Sequence, residues 1–218
     1  MRGLILRDVL SYWRRSSKSF IVTDICLFIF FMLMSARSSM SAGLAAYGYL
    51  LLCMPLGTSA IVLTMKDLDL AGSNGTQLRY FPFFDREIVL ARFLAVGSIG
   101  LYHVAVMTVF CIVHGLIFGS FSAGTYVLFI AFGCQMGMIM NCVNLAAAYL
   151  GSSNAGAVVY LLLIGLAIAA YLALLWMDID IYVVLNRQIL LWILMILATG
   201  AVAVLCYFLS VKAYGRRR

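Results

Sequence analysis

The side chains that could do chemistry in this sequence are a few polar groups that interrupt long apolar runs. His103 and His114 are eleven residues apart, which on a helix places them about 20° from a common face but about 16 Å apart along the axis. Two ligands at that separation cannot share one metal ion. The sequence also has no His-Glu-x-x-His, Gly-x-Ser-x-Gly or Gly-x-x-x-x-Gly-Lys-Ser/Thr motif. The residues therefore predict no metal site, no activated nucleophile and no phosphate-binding loop.

Two ionisable side chains lie inside apolar runs, where polar groups are functional candidates by default. Asp24 could be structural, hydrated near the interface or meeting Lys66 or Arg92 from neighbouring helices, or it could belong to a proton relay. His103 could bond to another helix or contact a substrate. Both alternatives stay open for each residue.

Amides and a proline are the other candidates for a substrate path. Asn141 and Asn144 lie close to each other on one helical face, near Gly133-x-x-x-Gly137. Small residues at that spacing let helices approach closely, so the amides could bond across a helix contact or line a permeation route. Pro55 should kink its helix, because it removes a backbone hydrogen bond. A kink suits a gating helix, but membrane helices also tolerate prolines for ordinary packing.

The composition shows which elements must position these groups. Of 218 residues, 65% are hydrophobic and 11% are charged, whereas a soluble domain has roughly 45–50% and about 25%. The chain is therefore an integral membrane protein. The six cysteines lie within apolar stretches, so we interpret them as small buried hydrophobes.

Uncharged or nearly uncharged runs long enough to cross about 30 Å of hydrocarbon predict six transmembrane helices. The run from 93 to 177 is divided at its Gly- and Ser-rich breaks near 119–124 and 151–154. We predict one all-α membrane domain over 1–218 with spans at 20–36, 44–65, 93–118, 125–150, 155–176 and 189–211.

The distribution of basic residues sets the orientation of the spans. With six spans, one side of the membrane carries both termini and thirteen of the fifteen Lys and Arg residues, and the other side carries Arg37 and Arg187. The positive-inside rule then places both termini in the cytoplasm.

Two segments outside the spans have apolar surface. Residues 1–18 predict an amphipathic interfacial helix, with Leu6, Val9, Leu10 and Trp13 on one face and Arg7, Ser11, Arg14 and Lys18 on the other. The cytoplasmic segment 66–92 contains a cluster of large apolar and aromatic side chains that a solvated loop would not expose. These aromatic residues could dock on a partner or lie in the membrane interface.

The stretch 81–93, with Pro82, Glu87, Ile88 and Val89, resembles the Leu-Pro-x-Ser-Arg-x-Glu-Ile-Val-x-x-Lys-Tyr signature of bacterial type 2 ATP-binding-cassette (ABC) exporter permeases. Arg92-Phe93 stands in place of the Lys-Tyr pair, whereas Phe84-Asp85 departs from the family's Ser-Arg. The short basic N-terminal helix before six spans is also similar to that family.

The resemblance implies that 66–92 is a coupling segment that inserts into a groove of a separate ATPase subunit. The residues expected at that contact are Leu78, Tyr80, Phe81, Pro82, Phe83, Phe84, Asp85, Arg86 and Glu87. ATP and Mg would be bound by that partner, and this chain would be neither an enzyme nor a cofactor carrier.

The resemblance also implies a second permease subunit, identical or related, and a route lined by the second and fifth spans. The sparse charge in those spans favours an amphipathic or lipophilic substrate, such as a peptide, drug or lipid-like molecule, exported across a bacterial inner membrane. Pro55, His103, Asn141 and Asn144 are the candidate path residues. The expected partners include the lipid bilayer but no nucleic acid. The alternative is a non-transporting membrane protein coupled to an ATPase.

Overall fold

The computed structural model is all-helical in the part of the chain that it describes, residues 2–37, 45–46, 48–49, 52–53, 84–119, 121–151, 153–177 and 189–216. The helices are α1 (Arg2–Ser35), α2 (Asp85–Phe118), α3 (Ala123–Leu150), α4 (Ser153–Trp176) and α5 (Ile189–Gly215). This confirms the all-α class. The predicted second span, 44–65, is described at six positions, all of them helical.

Three of the helices are long and apolar enough to cross a membrane. They are Asp85–Phe118, Ala123–Leu150 and Leu190–Gly215. The stretches Ile21–Ser35 and Ala155–Ala170 are also apolar but shorter. Length and composition therefore support a membrane protein, while the count of six spans and the position of the termini stay predictions.

The first helix joins two segments that the sequence divides. Residues Arg2–Ser35 form one helix of 34 residues, so no break separates the predicted interfacial helix 1–18 from the predicted span 20–36. The reason is local, because neither Gly nor Pro occurs between Gly3 and Ser35 and nothing ends the helix at residue 19. The buried side of this helix also differs from the predicted apolar face, because it is formed by Leu4, Asp8 and Tyr12.

The second helix begins eight residues before the span predicted at 93–118. Its first turn holds Asp85 and Glu87, which suit the positive end of the helix dipole. The Glu87 carboxylate accepts a hydrogen bond from the Phe84 backbone N–H at 3.1 Å. This cap extends the helix through the polar residues before the apolar run.

The Gly- and Ser-rich breaks near 119–124 and 151–154 lie between consecutive helices. Gly119 follows α2 with φ 58°, and its N–H donates to the Gly115 carbonyl at 3.0 Å. Only a residue without Cβ adopts this left-handed conformation at little cost. Ser122 then caps α3 by accepting from the Thr125 N–H at 3.2 Å. The fourth and fifth spans, predicted at 125–150 and 155–176, end at Leu150 and Trp176.

α2 and α3 make most of the contacts between helices. α2 contacts α1, α3 and α5, and α3 also contacts α4 and α5. Buried Tyr12 of α1, Ile99 of α2 and Leu145 of α3 belong to one cluster. A second cluster joins Phe110 of α2 to Tyr49 of the second span, with ring centroids 3.8 Å apart and nearly parallel planes. α2 therefore contributes to both of these clusters.

Candidate functional site

Of the residues expected to contact an ATPase, the structure describes the last four. Phe84 is 75% exposed, Arg86 is exposed, and Asp85 and Glu87 are half-buried. Leu78, Tyr80, Phe81, Pro82 and Phe83 lie outside the described residues. Phe84 therefore presents apolar surface at the position where α2 begins, while Glu87 caps its own helix.

The end of the sixth predicted span packs against this junction. The Tyr207 hydroxyl of α5 donates to the Arg86 backbone carbonyl at 3.3 Å. A Cβ built on Gly215 would lie 3.5 Å from an Asp85 carboxylate oxygen. The start of α2 and the C-terminal end of α5 therefore meet at the exit from the predicted coupling segment.

A buried ion pair fixes α1 to the same part of α2. The Arg92 Nη1 lies 3.0 Å from Asp8 Oδ2, and both side chains are 3% exposed. Arg7 also pairs with Asp8, at 2.9 Å, but its side chain is 42% exposed. The sequence suggested Asp24 as a partner for Arg92. The structure corrects this, because Arg92 meets the acid nearer the start of α1.

Asp24 instead faces the middle of α2. Its Oδ2 lies 3.8 Å from Nε2 of His103, and the two side chains are 5% and 0% exposed. Tyr102 is close enough for its hydroxyl to interact with the Asp24 carboxylate. His103 Nδ1 lies 3.1 Å from the carbonyl oxygen of Ile99. His103 thus connects two helices, which is one of the two roles expected from the sequence.

His114 forms a separate connection at the far end of α2. Its Nδ1 lies 2.7 Å from the Tyr126 hydroxyl of α3, and its Nε2 lies 3.0 Å from the Ser35 hydroxyl of α1. The ring is fully buried, with Phe110 and other aromatic rings around it. One neutral imidazole with two hydroxyl partners therefore joins the ends of α1, α2 and α3.

The two asparagines lie on the central helix. Asn141 and Asn144 are 5% and 1% exposed, and a Cβ on Gly156 of α4 would lie 3.2 Å from the Asn144 side-chain oxygen. Asn144 therefore faces α4, whereas His103 faces α1. The described residues place these two candidates in different helix contacts. Pro55 lies outside the described residues, and a role for any of these side chains in a substrate path stays a prediction.

The structure adds residues that the sequence did not single out as a site: Asp8, Ser35, Tyr102 and Tyr126. A spacing could have indicated part of the set, because Asp24 and Ser35 are eleven residues apart, as are His103 and His114. Among the described residues, no group of three or more His, Cys, Asp or Glu side chains could hold a metal ion.

The cysteines follow the hydrophobic interpretation in most positions. Cys53, Cys111, Cys142 and Cys206 are buried and Cys134 is half-buried, whereas Cys26 is exposed on α1. All six are free thiols. Cys142 of α3 and Cys206 of α5 pack in one apolar cluster with Ala146, so they act there as small apolar side chains.

Comparison with known families agrees with the resemblance in the stretch 81–93. The family model described as ABC-2 family transporter protein matches residues 3–215. The comparisons with curated proteins and with solved structures give no match. The match extends over α1 to α5, so it covers the contacts of Asp8 with Arg92 and of Asp24 with His103, and the start of α2, as well as the local signature.

Proposed function

The chain belongs to the ABC-2 transporter family, and from that membership we propose that it is the permease subunit of an ATP-driven exporter. In this proposal, a separate ATPase binds ATP and Mg, and its closure pushes the coupling segment 66–92. The permease, paired with a second subunit, then moves an amphipathic or lipophilic substrate out across the inner membrane.

The observation that carries the proposal is the arrangement around the first turns of α2. The coupling segment leads directly into this helix, whose exposed Phe84 precedes its first turn. α1 is attached there through the Asp8–Arg92 ion pair, and α5 through the Tyr207–Arg86 hydrogen bond. A push on the coupling segment would therefore act on three helices together.

The second permease subunit is expected beside α4. Among the described elements, α4 packs mainly against α3. Its Leu161, Leu162 and Leu166 are about two-thirds exposed. Such an apolar surface suits lipid or another permease chain, and the resemblance implies that this fifth span and the second span line the route.

The coupling contact is tested by replacing Phe81, Phe83 and Phe84 together with alanine. Buried aromatics are frequent hot spots worth roughly 2 kcal/mol or more each, so the variant should lose the ATPase during copurification in detergent. The matched control replaces Phe30 and Phe208, which are 55% and 61% exposed within α1 and α5, and should retain the ATPase.

Unchanged ATPase recovery and unchanged substrate-stimulated hydrolysis in the triple variant would assign these aromatic residues to the membrane interface. Loss of the ATPase together with an absence of substrate movement in wild-type vesicles would favour the non-transporting alternative. Replacing Arg86 or Glu87 alone should leave the complex assembled and lower its turnover, because exposed charges add modest affinity but help to fix register. Glu87→Gln keeps an acceptor for the cap and separates that role from the charge.

The orientation has its own test. Single cysteines at Ser39 or Asp180, in a background without native cysteines, should react with an impermeant reagent added outside. Cysteines at Ser73 or Arg217 should not. External labelling at Ser73 would reverse the orientation derived from the basic residues.

A further inference from the structure

Asp24 and His103 are two ionisable groups at the centre of a helix contact that the transport proposal does not use. Asp24 is eleven residues before Ser35 at the end of α1, or about 16 Å along the axis. His103 is the same number of residues before His114, which bonds to Ser35. His103 lies ten residues into the span predicted at 93–118, near its middle, and Asp24 lies four residues into the span predicted at 20–36.

The orientation of the imidazole ring determines where a proton can bind. His103 Nδ1 lies 3.1 Å from the Ile99 carbonyl oxygen, and a carbonyl only accepts hydrogen bonds. Nδ1 therefore carries a hydrogen. The other nitrogen, Nε2, faces Asp24 Oδ2 at 3.8 Å. The nitrogen that gains or loses a proton is thus the one directed at the carboxylate.

Within the described ranges, the other groups around Asp24 are ones that ordinarily carry no charge. Those that interact with it electrostatically among the described residues are the hydroxyls of Tyr12 on α1 and Tyr102 on α2, and the Tyr49 hydroxyl and Cys53 thiol of the second span. Hydroxyls and thiols of these types are ordinarily neutral. The Asp8–Arg92 ion pair is a separate site at the start of α2.

A bare carboxylate facing a bare nitrogen lone pair would give this pair a net negative charge, which its described neighbours do not balance and which is strongly unfavourable in a dry interior. A second proton would give the pair a net positive charge instead. One proton gives a net charge of zero, either as carboxylate and imidazolium or as carboxylic acid and neutral imidazole. The two forms interconvert when the O–H bond at Oδ2 breaks and an N–H bond forms at Nε2.

We propose that Asp24 Oδ2 and His103 Nε2 form an intramembrane proton-binding site that holds one proton and exchanges it with water only when α1 and α2 separate during the transport cycle. The contact between the helices is closed on either side of the site, by Asp8–Arg92 near one end and by Ser35–His114 at the other. The near-complete burial of both side chains keeps water out in this conformation.

The bound proton can be measured on the permease alone. The chain contains only two histidines, so solid-state NMR of the full chain in lipid bilayers, with ¹⁵N-labelled histidine, resolves both rings. In wild type, His103 should carry a hydrogen on Nδ1. His103 should then show one of two states. Either Nε2 carries a second hydrogen, or the ring is neutral and an infrared band of protonated Asp24 is present, which the Asp24→Asn variant should lack. This state should persist between about pH 5 and 8, where histidine normally titrates.

His114 supplies the matched control, because it is equally buried on the same helix but has hydroxyl partners rather than a carboxylate. Asp24→Asn should change the His103 signals and leave those of His114 unchanged, and Ser35→Ala should do the opposite. Two wild-type results would overturn the site. One is a neutral His103 with no protonated Asp24 carboxyl, and the other is a His103 ring that follows bulk pH.

Proton exchange during the transport cycle is measured on the permease and its ATPase reconstituted together in vesicles. Wild type should show a pH-dependent component of ATP hydrolysis that is lost in Asp24→Asn and in His103→Gln but retained in Ser35→Ala. An identical pH profile in wild type and Asp24→Asn would overturn the link to the cycle. The NMR measurement requires no ATPase, so its failure would leave the exporter proposal standing.

Discussion

The buried ion pair between Asp8 and Arg92 predicts a large energetic coupling between α1 and α2. The perturbation is a double-mutant cycle with Asp8→Asn, Arg92→Gln and the double variant. A second cycle with Asp8→Asn and Arg7→Gln serves as the internal control. Both ion pairs share the same carboxylate and have nearly equal distances, 3.0 Å for Arg92 and 2.9 Å for Arg7.

The two coupling energies should differ because the two arginine side chains differ in burial. At 3.0 Å and an effective dielectric constant of about 20, the gross attraction is about 5 kcal/mol. Desolvation of two nearly buried groups offsets part of it, so we expect a coupling of about 2 kcal/mol for Asp8–Arg92. The Arg7 side chain is 42% exposed, and water and salt should reduce its coupling to about 0.5 kcal/mol or less.

The assay is unfolding by SDS in mixed micelles, followed by circular dichroism. The free energies of the four proteins in each cycle give the coupling, and the inequality between the cycles is the decisive quantity. Equal couplings, or a value below about 0.5 kcal/mol for Asp8–Arg92, would refute the claim that this pair clamps α1 onto α2. Added salt should weaken the Arg7 pair more than the Arg92 pair.

Four further substitutions test packing in the same unfolding assay. Gly119→Ala should destabilise by about 1–2 kcal/mol because of its left-handed φ of 58°. Gly97→Ala, which has open space around its Cβ position, should be neutral or stabilising by up to about 1 kcal/mol. Tyr126→Phe removes the 2.7 Å bond to His114 and should cost about 1–3 kcal/mol. Gly156→Ala should destabilise α3–α4 packing, because its Cβ would lie 3.2 Å from an amide oxygen; a gain in stability would contradict that contact.

The sequence predicted the helix ends that short-range chemistry determines. Gly119 ends α2 in a left-handed conformation and Ser122 caps α3, both within the break at 119–124, and α3 ends at Leu150, directly before the break at 151–154. The long helices were predicted as shorter spans, because hydropathy detects only the apolar part. α2 continues through polar residues back to Asp85, since Glu87 caps it there.

The pairing of side chains between helices was harder to predict. A periodic pattern in one helix indicates which residues share a face, but it does not identify the neighbouring helix or the relative shift along the axis. This explains why Arg92 was one of the possible partners considered for Asp24, while its contact with Asp8 was not predicted. It also explains why both histidines could be excluded as joint metal ligands while their separate partners on α1 were unknown.

The spacing of the polar residues nevertheless indicates how α1 and α2 align, once the two helices are known to be neighbours. His103 and His114 are eleven residues apart, and so are their partners Asp24 and Ser35. Eleven residues make about three helical turns, so equal spacing on both helices lets two contacts form at once. The earlier residue of each helix meets the earlier residue of the other, which shows that α1 and α2 run parallel. Asp8 departs from this register, and the long Arg92 side chain spans the offset at 3.0 Å. The two histidine contacts therefore define the alignment of the helices, and the Asp8–Arg92 ion pair joins α1 to the part of α2 that lies in the predicted coupling segment 66–92.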